Sequence, residues 1–263
     1  MLLKNKTAVI YGAAGAIGGA VARAFAREGA SVFLTGRQLA PVEALARENS
    51  QAGGSAAAAE VNALEETAVD RHLQSVIAQA GRVDISFNAV GLPPATMVGV
   101  PMLELDLEQF SRPIADYTRS YFLTARLAAR RMMPQKSGVI MTITSIPARE
   151  GTTLNGGYGP AHAAKDALTR DLSAEFAPHG LRVVNLRPHG LAESGTMQEL
   201  FDTKIKKSGL SLAQFHQHLA HWGHTKRLLQ LAETANAAVL LASDLASAIT
   251  GTTVNLTMCA VSD

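Results

Sequence analysis

Tyr158, His162 and Lys165 share one stretch, YGPAHAAKDALTRDLSAEF, whose pattern predicts a long amphipathic helix opening at the tyrosine. A phenol with a basic side chain beside it can pass a proton, and a tyrosine paired with a lysine points to hydride chemistry. Two residues compete for the partner's place. Residue 162 is four positions on, about 6 Å up the same helix face, whereas residue 165 is seven on and about 10.5 Å up. Geometry favours His162.

A second group suits phosphate. VIYGAAGAIGGAVARAF sets Gly12, Gly15 and Gly18 in a turn between an apolar run and a helical pattern. Glycine lets a pyrophosphate approach the backbone, and the free N–H groups of the helix that follows favour an anion. Such a trio also serves plain strand-helix packing; its place on the first β-α unit favours a dinucleotide. The next apolar run ends Thr35, Gly36, Arg37. An acidic residue there would hold an adenosine ribose, whereas an arginine neutralises the extra phosphate of NADP. The absence of a carboxylate favours NADP over NAD, against the competing reading of Arg37 as a solvated surface charge.

The elements that must position these residues follow a β-α rhythm. Apolar, β-branched runs at Thr7–Tyr11, Ser31–Thr35, Val83–Phe87, Gly138–Thr144, Leu181–Leu186 and Thr252–Thr257 alternate with helical patterns such as Ile17–Glu28, Glu65–Ala80, Leu105–Met133 and Ala161–Phe176. Ser55–Val61 is a weak strand by propensity and is placed by its position in the series. Strands so apolar are covered on both faces, which predicts a parallel sheet wrapped by helices. The expected architecture is one doubly wound α/β (Rossmann-type) domain spanning 1–263, with strand order 3-2-1-4-5-6-7. Residues 190–228 break the rhythm and carry Met197, Leu200, Phe201, Phe215 and Trp222, the composition of two short helices forming a substrate lid.

Composition excludes several classes. At 263 residues, 47% apolar and 17% charged, the chain can bury one large core, and a formal charge of +2 supplies no nucleic-acid groove. No long apolar segment predicts a membrane span, so the expected compartment is the cytoplasm. Cys259 is the single cysteine, which rules out an internal disulfide. His216, His218, His221 and His224 lack an acidic companion and the H-E-x-x-H spacing, so a lid or solvated helix is expected there and no metal site.

With DISFNAVG, GVIMTITS and YGPAHAAKDALTRDLSAE added, the chain resembles the short-chain dehydrogenase/reductase family along nearly its whole length. The family's G-x-x-x-G-x-G turn falls on Gly12, Ala16 and Gly18, with Gly15 just before the substituted middle glycine and Ile17 inside the turn. Its N-N-A-G segment falls on Asn88, Ala89, Val90 and Gly91. The pair bordering the adenine falls on Glu60 and Val61, and the P-G after the sixth strand becomes Pro188, His189 and Gly190. The resemblance implies a bound NADP, a small-molecule substrate and a homotetramer or homodimer built on the fourth and fifth helices.

It also implies roles. Ser145, thirteen residues before Tyr158, would polarise a substrate carbonyl, and Tyr158 would donate the proton as hydride arrives at carbon. In the Y-x-x-x-K pattern His162 takes the lysine's position, as partner to both the tyrosine and the nicotinamide ribose. Lys165 falls on a position that is usually apolar and is expected as a surface or helix-edge charge. A lost unit charge some 4 Å from the phenol is worth up to about 4 kcal/mol at an effective dielectric of ~20. Tyr117 replaces the asparagine that holds a proton-relay water, and Thr257, Met258 and Cys259 replace a D-G-G. These changes keep open an alternative, a non-redox protein that retains the nucleotide fold as a binding or scaffolding module.

Overall fold

The computed structural model describes residues 1–262, the side chain at 207 excepted. Seven strands form one parallel sheet: β1 Thr7–Tyr11, β2 Ser31–Gly36, β3 Ser55–Glu60, β4 Ile85–Asn88, β5 Gly138–Ile143, β6 Leu181–Pro188 and β7 Thr252–Leu256. Their order is β3-β2-β1-β4-β5-β6-β7, the expected doubly wound arrangement. The chain works outward from β1 to β3, then returns to lay β4 on the other side of β1. That reversal opens a crevice beyond the carboxyl ends of β1 and β4.

Helices cover both faces. On one side α1 (Ala16–Arg27) and α8 (Leu231–Ala242) pack together, and Val21, Phe25, Ala238 and Val239 join Ile10, Leu34 and Phe87 of the sheet in one core. On the other, α3 (Glu66–Ala80), α4 (Leu107–Met132) and α5 (Tyr158–Phe176) bury Leu73, Tyr121, Leu127 and Phe176 against Val9, Tyr11 and Ile140. β1, β4 and β5 are buried throughout, which is why their sequences are apolar without alternation. α2 (Leu39–Gln51) flanks β3 at the sheet's edge. β3 forms although alanine is a poor strand residue: each residue from Ser55 to Glu60 pairs with β2.

Several boundaries shift by one or two residues from expectation, some for a clear local reason. β6 runs two residues beyond Leu186 because Arg187 and Pro188 continue to pair with Asn255 and Leu256 of β7. α5 begins at Tyr158, as the opening pattern predicts, and Pro160 is tolerated because it lies in the first turn, where proline costs no hydrogen bond. α4 starts after Asp106, whose carboxylate accepts from Gln109 N at 2.8 Å and caps the helix.

Candidate active site

Residues predicted from separate segments converge because each follows the carboxyl end of a neighbouring strand. Gly12 follows β1, Arg37 follows β2 and Val61 follows β3, while Ala89 to Gly91 follow β4, Ser145 lies just past β5 and His189 follows β6. At the first of these ends the backbone must turn tightly. Gly12 has φ +73°, and a Cβ there would lie 2.6 Å from the Ala89 carbonyl oxygen; one on Gly18 would lie 2.4 Å from that of Gly12. Any side chain would fill the cradle. Gly15 stands at the N-cap of α1, where no side chain caps the helix and no acid sits in the first turn, and Ile17 packs into the core from that turn. An uncapped helix end behind a glycine cradle fits a pyrophosphate.

The neighbouring strand ends line the same crevice. Arg37 is exposed and in no ion pair among the described residues. Glu60 is exposed at the end of β3, and Val61 is buried with its N–H donating to the Gly36 carbonyl at 2.8 Å. Asn88 is fully engaged. Its amide donates to Thr124 Oγ1 at 3.0 Å, its side-chain oxygen accepts from Val90 N at 3.2 Å, and its carbonyl accepts from Thr142 Oγ1 at 3.0 Å. This fixes the turn at Ala89 and Val90, beyond which Gly91 faces open space. Thr124 and Thr142 are supports that no spacing in the sequence singles out.

At the other end of the groove the Tyr158 phenol is close enough to the Ser145 hydroxyl for the serine to favour its ionised form. Burial raises the phenol's pKa, and the neighbouring Ser145 hydroxyl offsets only part of that rise. Tyr158 is therefore a neutral acid at ordinary pH. His162 lies one turn along α5 with its ring centroid 4.3 Å from that of Tyr158 and 4.9 Å from that of Tyr117. Both its ring nitrogens are buried without a hydrogen-bond partner. Burial first, and the Lys165 charge second, hold its pKa well below the usual value, so His162 is neutral as well. The Tyr117 hydroxyl accepts from Leu92 N at 3.1 Å, and burial pushes its pKa up.

Lys165 corrects the sequence expectation. It is no surface charge, being 1% exposed. Its Nζ donates to the Ile143 carbonyl at the end of β5, and lies 5.5 Å from the Tyr117 ring centroid and 5.9 Å from that of Tyr121. The lysine stem spans the apolar layer between α5 and the sheet, and two tyrosine faces from α4 receive the cation. Burial lowers its pKa to about 7, the Asp166 charge opposing that shift. The next residue, Asp166, is also buried; it accepts from Arg187 at 2.8 Å and from Asn185 and Thr253, each at 2.9 Å. A polar network thus underlies the site in place of the usual apolar packing.

The segment 190–228 builds α6 (Gly195–Leu200), a π-helical turn (Phe201–Ile205) and α7 (Leu212–Trp222). Phe201, Phe215 and Leu219 form a small core of their own. Trp222 instead stacks on His189, with ring centroids 6.0 Å apart and planes 7° from parallel. Gly190 turns the chain there with φ +63°. Among the described residues, no three histidine, cysteine or acidic side chains gather as a metal site would require.

Residues 12–257 match the family model described as enoyl-(acyl carrier protein) reductase. The chain belongs to the short-chain dehydrogenase/reductase family. The uncharacterized oxidoreductase YxbG of Bacillus subtilis is 30% identical to this short-chain dehydrogenase/reductase over 249 residues, covering 95% of this chain and 88% of its own. The L-rhamnose 1-dehydrogenase (NAD(P)(+)) of Azotobacter vinelandii is 28% identical over 256 residues, 95% of this chain and 94% of its own. A solved 7α-hydroxysteroid dehydrogenase, in complex with NADH and 7-oxo glycochenodeoxycholic acid, superposes with a TM-score of 0.84 at 27% identity, covering 99% of this chain and 96% of that one. The protein is accordingly an oxidoreductase, of a family that uses NAD or NADP and acts on small molecules. Among the described residues no helix is long and apolar enough to cross a membrane.

Proposed function

We propose that this short-chain dehydrogenase/reductase is NADP-dependent and reduces a carbonyl, or oxidises the corresponding alcohol, with Tyr158 as acid and base. The observation that carries this reading is the buried Tyr158 phenol, kept protonated at the sheet's carboxyl edge beside Ser145, which follows β5. Ser145 would hold the substrate oxygen and Tyr158 would give it a proton, so that no free alkoxide develops. NADP(H), when bound, supplies or accepts the hydride. Gly12, Gly15, Ile17 and Gly18 would hold its pyrophosphate, Arg37 its additional phosphate, and Glu60, Val61, Asn88, Ala89 and Gly91 its adenosine half. Pro188, Gly190, Tyr158 and His162 would border the nicotinamide half. A ribose hydroxyl meets His162 only once its ring turns toward the groove, because neither nitrogen now reaches solvent.

A neutral Tyr158 beside a neutral His162 suits proton donation better than proton removal, so reduction is the favoured direction at neutral pH. Tyr117, whose hydroxyl accepts from Leu92 N and keeps its own proton to donate, would bind a water at the catalytic end, displaced from the family's usual place by the length of the side chain. The insertion would act as a lid, with Trp222 over His189 at the nicotinamide end. Exposed Phe122 on α4 supports a homodimer or homotetramer through that helix. A cytoplasmic protein acting on a small molecule is the consistent setting. The intact Ser145 and Tyr158 weigh against a purely scaffolding role.

Titration with NADPH and NADH by nicotinamide fluorescence, followed by turnover on a panel of carbonyl compounds, tests the reading. NADPH should bind more tightly than NADH. Arg37→Ala should weaken NADPH binding about ten-fold or more, as loss of a charge-assisted phosphate contact does, and leave NADH nearly unaffected. Equal affinities for the two cofactors in the unaltered protein would refute the NADP assignment.

A further inference from the structure

Lys204 lies on the π-helical turn Phe201–Ile205, four residues after Leu200. Leu200 packs against the apolar group containing Tyr158, Tyr117, Met97 and Ala161, which fastens this turn at the catalytic end of the groove. π-Helical turns are rare and frequently stand at functional sites. The Lys204 ammonium donates to Asn155 Oδ1 at 2.8 Å, and the Asn155 carbonyl accepts from Tyr158 N at 3.0 Å. The cation is therefore held on the loop that leads directly into the catalytic tyrosine.

That cation lacks a counter-charge. Among the described residues no carboxylate pairs with it, and the acids beside it in sequence are turned elsewhere. Glu199 accepts from Ala95 N at 3.2 Å, and Asp202 accepts from Gln198 at 3.3 Å. Half-buried, the amine has its pKa lowered to about 8 by lost hydration, and it is still mostly charged at neutral pH. A partly desolvated ammonium with one neutral amide for company is under-compensated, and an anion arriving beside it restores what burial removed.

We infer that Lys204, steered by Asn155, recognises an anionic group on the substrate, a carboxylate or a phosphate, so that the substrates are acidic carbonyl compounds. This rests on the reductase reading above and names the substrate class for the same site. The competing role is a strap: the bond to Asn155 would merely tie the insertion to the loop before α5.

The test uses the full chain with NADPH and matched substrate pairs. One arm sets oxo acids of roughly four to eight carbons against their amides; the other sets dihydroxyacetone phosphate against dihydroxyacetone. The anionic member of at least one pair should win by about ten-fold or more in kcat/KM, mainly through KM, the scale of one charge-assisted contact. Which arm shows the preference separates carboxylate from phosphate. Lys204→Met should bring that ratio close to one, and Lys204→Arg should restore part of it. In parallel, reductively ¹³C-methylated protein gives an NMR resonance for Lys204, assigned by its loss in Lys204→Arg. The amine's pKa should rise by about half a unit or more with the acid and stay put with the amide.

Turnover with no preference for either anion would overturn the inference and leave the reductase reading standing. A preference that survives Lys204→Met while all rates fall together would make the residue a strap, and would also overturn it. A pKa rise without turnover of any compound would uphold the anion site and sink the reductase reading. Neither turnover nor a pKa change would overturn both.

Discussion

Tyr158→Phe should lower carbonyl reduction by about 10²–10⁴-fold, the usual worth of a positioned general acid, while cofactor affinity changes little. The substitution removes only the hydroxyl. The ring keeps its contacts with Tyr117, 6.2 Å away between centroids, and with His162 at 4.3 Å, so the aromatic cluster and the start of α5 stay in place. The substrate oxygen then loses its proton source while Ser145 stays in place. Steady-state loss of NADPH absorbance with the best compound of the carbonyl panel gives the rate, and fluorescence titration gives the affinity. Undiminished turnover in Tyr158→Phe would remove the phenol from the chemistry. If turnover is absent from both proteins while NADPH binds both, the non-redox alternative would regain its place.

The second large effect concerns stability. The unfolded chain holds the Lys165 proton up to about pH 10.5, whereas in the folded protein it leaves near pH 7. Between those limits the unfolded state binds more protons, so this group makes the fold more stable as pH rises, by about 1–1.5 kcal/mol for each pH unit. Below the folded value both states are protonated and the whole cost of burying the cation is present. The groups facing the ammonium are His162 and Asp166 on its own helix and Tyr117 and Tyr121 on α4, with Arg187 of β6 behind Asp166. Asp166 is the only anion among these, and its carboxylate is already bound to Arg187.

Lys165→Met keeps the length of the side chain and removes the charge, as replacement of buried ions by apolar groups often does without loss of stability. Urea unfolding followed at several pH values should show the unaltered protein gaining about 2–3 kcal/mol relative to the variant between roughly pH 7.5 and 9.5. The comparison cancels Lys204, which titrates in the same window. Parallel stability curves for the two proteins would mean that Lys165 keeps its ordinary pKa, and with it access to water.

The sheet was legible in the sequence because fully buried parallel strands must be apolar on both faces, and Thr7–Tyr11 or Gly138–Ile143 read that way whatever surrounds them. Gly12, Arg37 and Ser145 were legible for a related reason. Each follows a recognisable strand, so their positions at its carboxyl end come with the fold. The partner of Tyr158 was legible only as a position. That His162 sits next to the phenol follows from helical rise, but that both its nitrogens are shut in depends on Tyr117, contributed by another helix. Lys165 was misread because lysine is rarely buried. The carbonyl of Ile143 and the rings of Tyr117 and Tyr121 that accept it are assembled only by tertiary packing. Lys204 and Asn155 were silent for the same reason: they meet across 49 residues, from an insertion with no regular period.

Burial keeps Tyr158 a neutral acid, with neutral His162 beside it in place of a permanent cation, and tyrosinate absorbance tests this without any substrate. The chain has four tyrosines, Tyr11, Tyr117, Tyr121 and Tyr158, and burial raises the pKa of each. His162→Lys provides the internal control, since a cation restored next to the phenol should bring one residue's worth of tyrosinate into view below about pH 10. In the unaltered protein the near-ultraviolet difference signal should stay flat up to about pH 10. A signal equal to one tyrosinate at about pH 8 or below, lost in Tyr158→Phe, would show that the phenol is not held as a neutral acid.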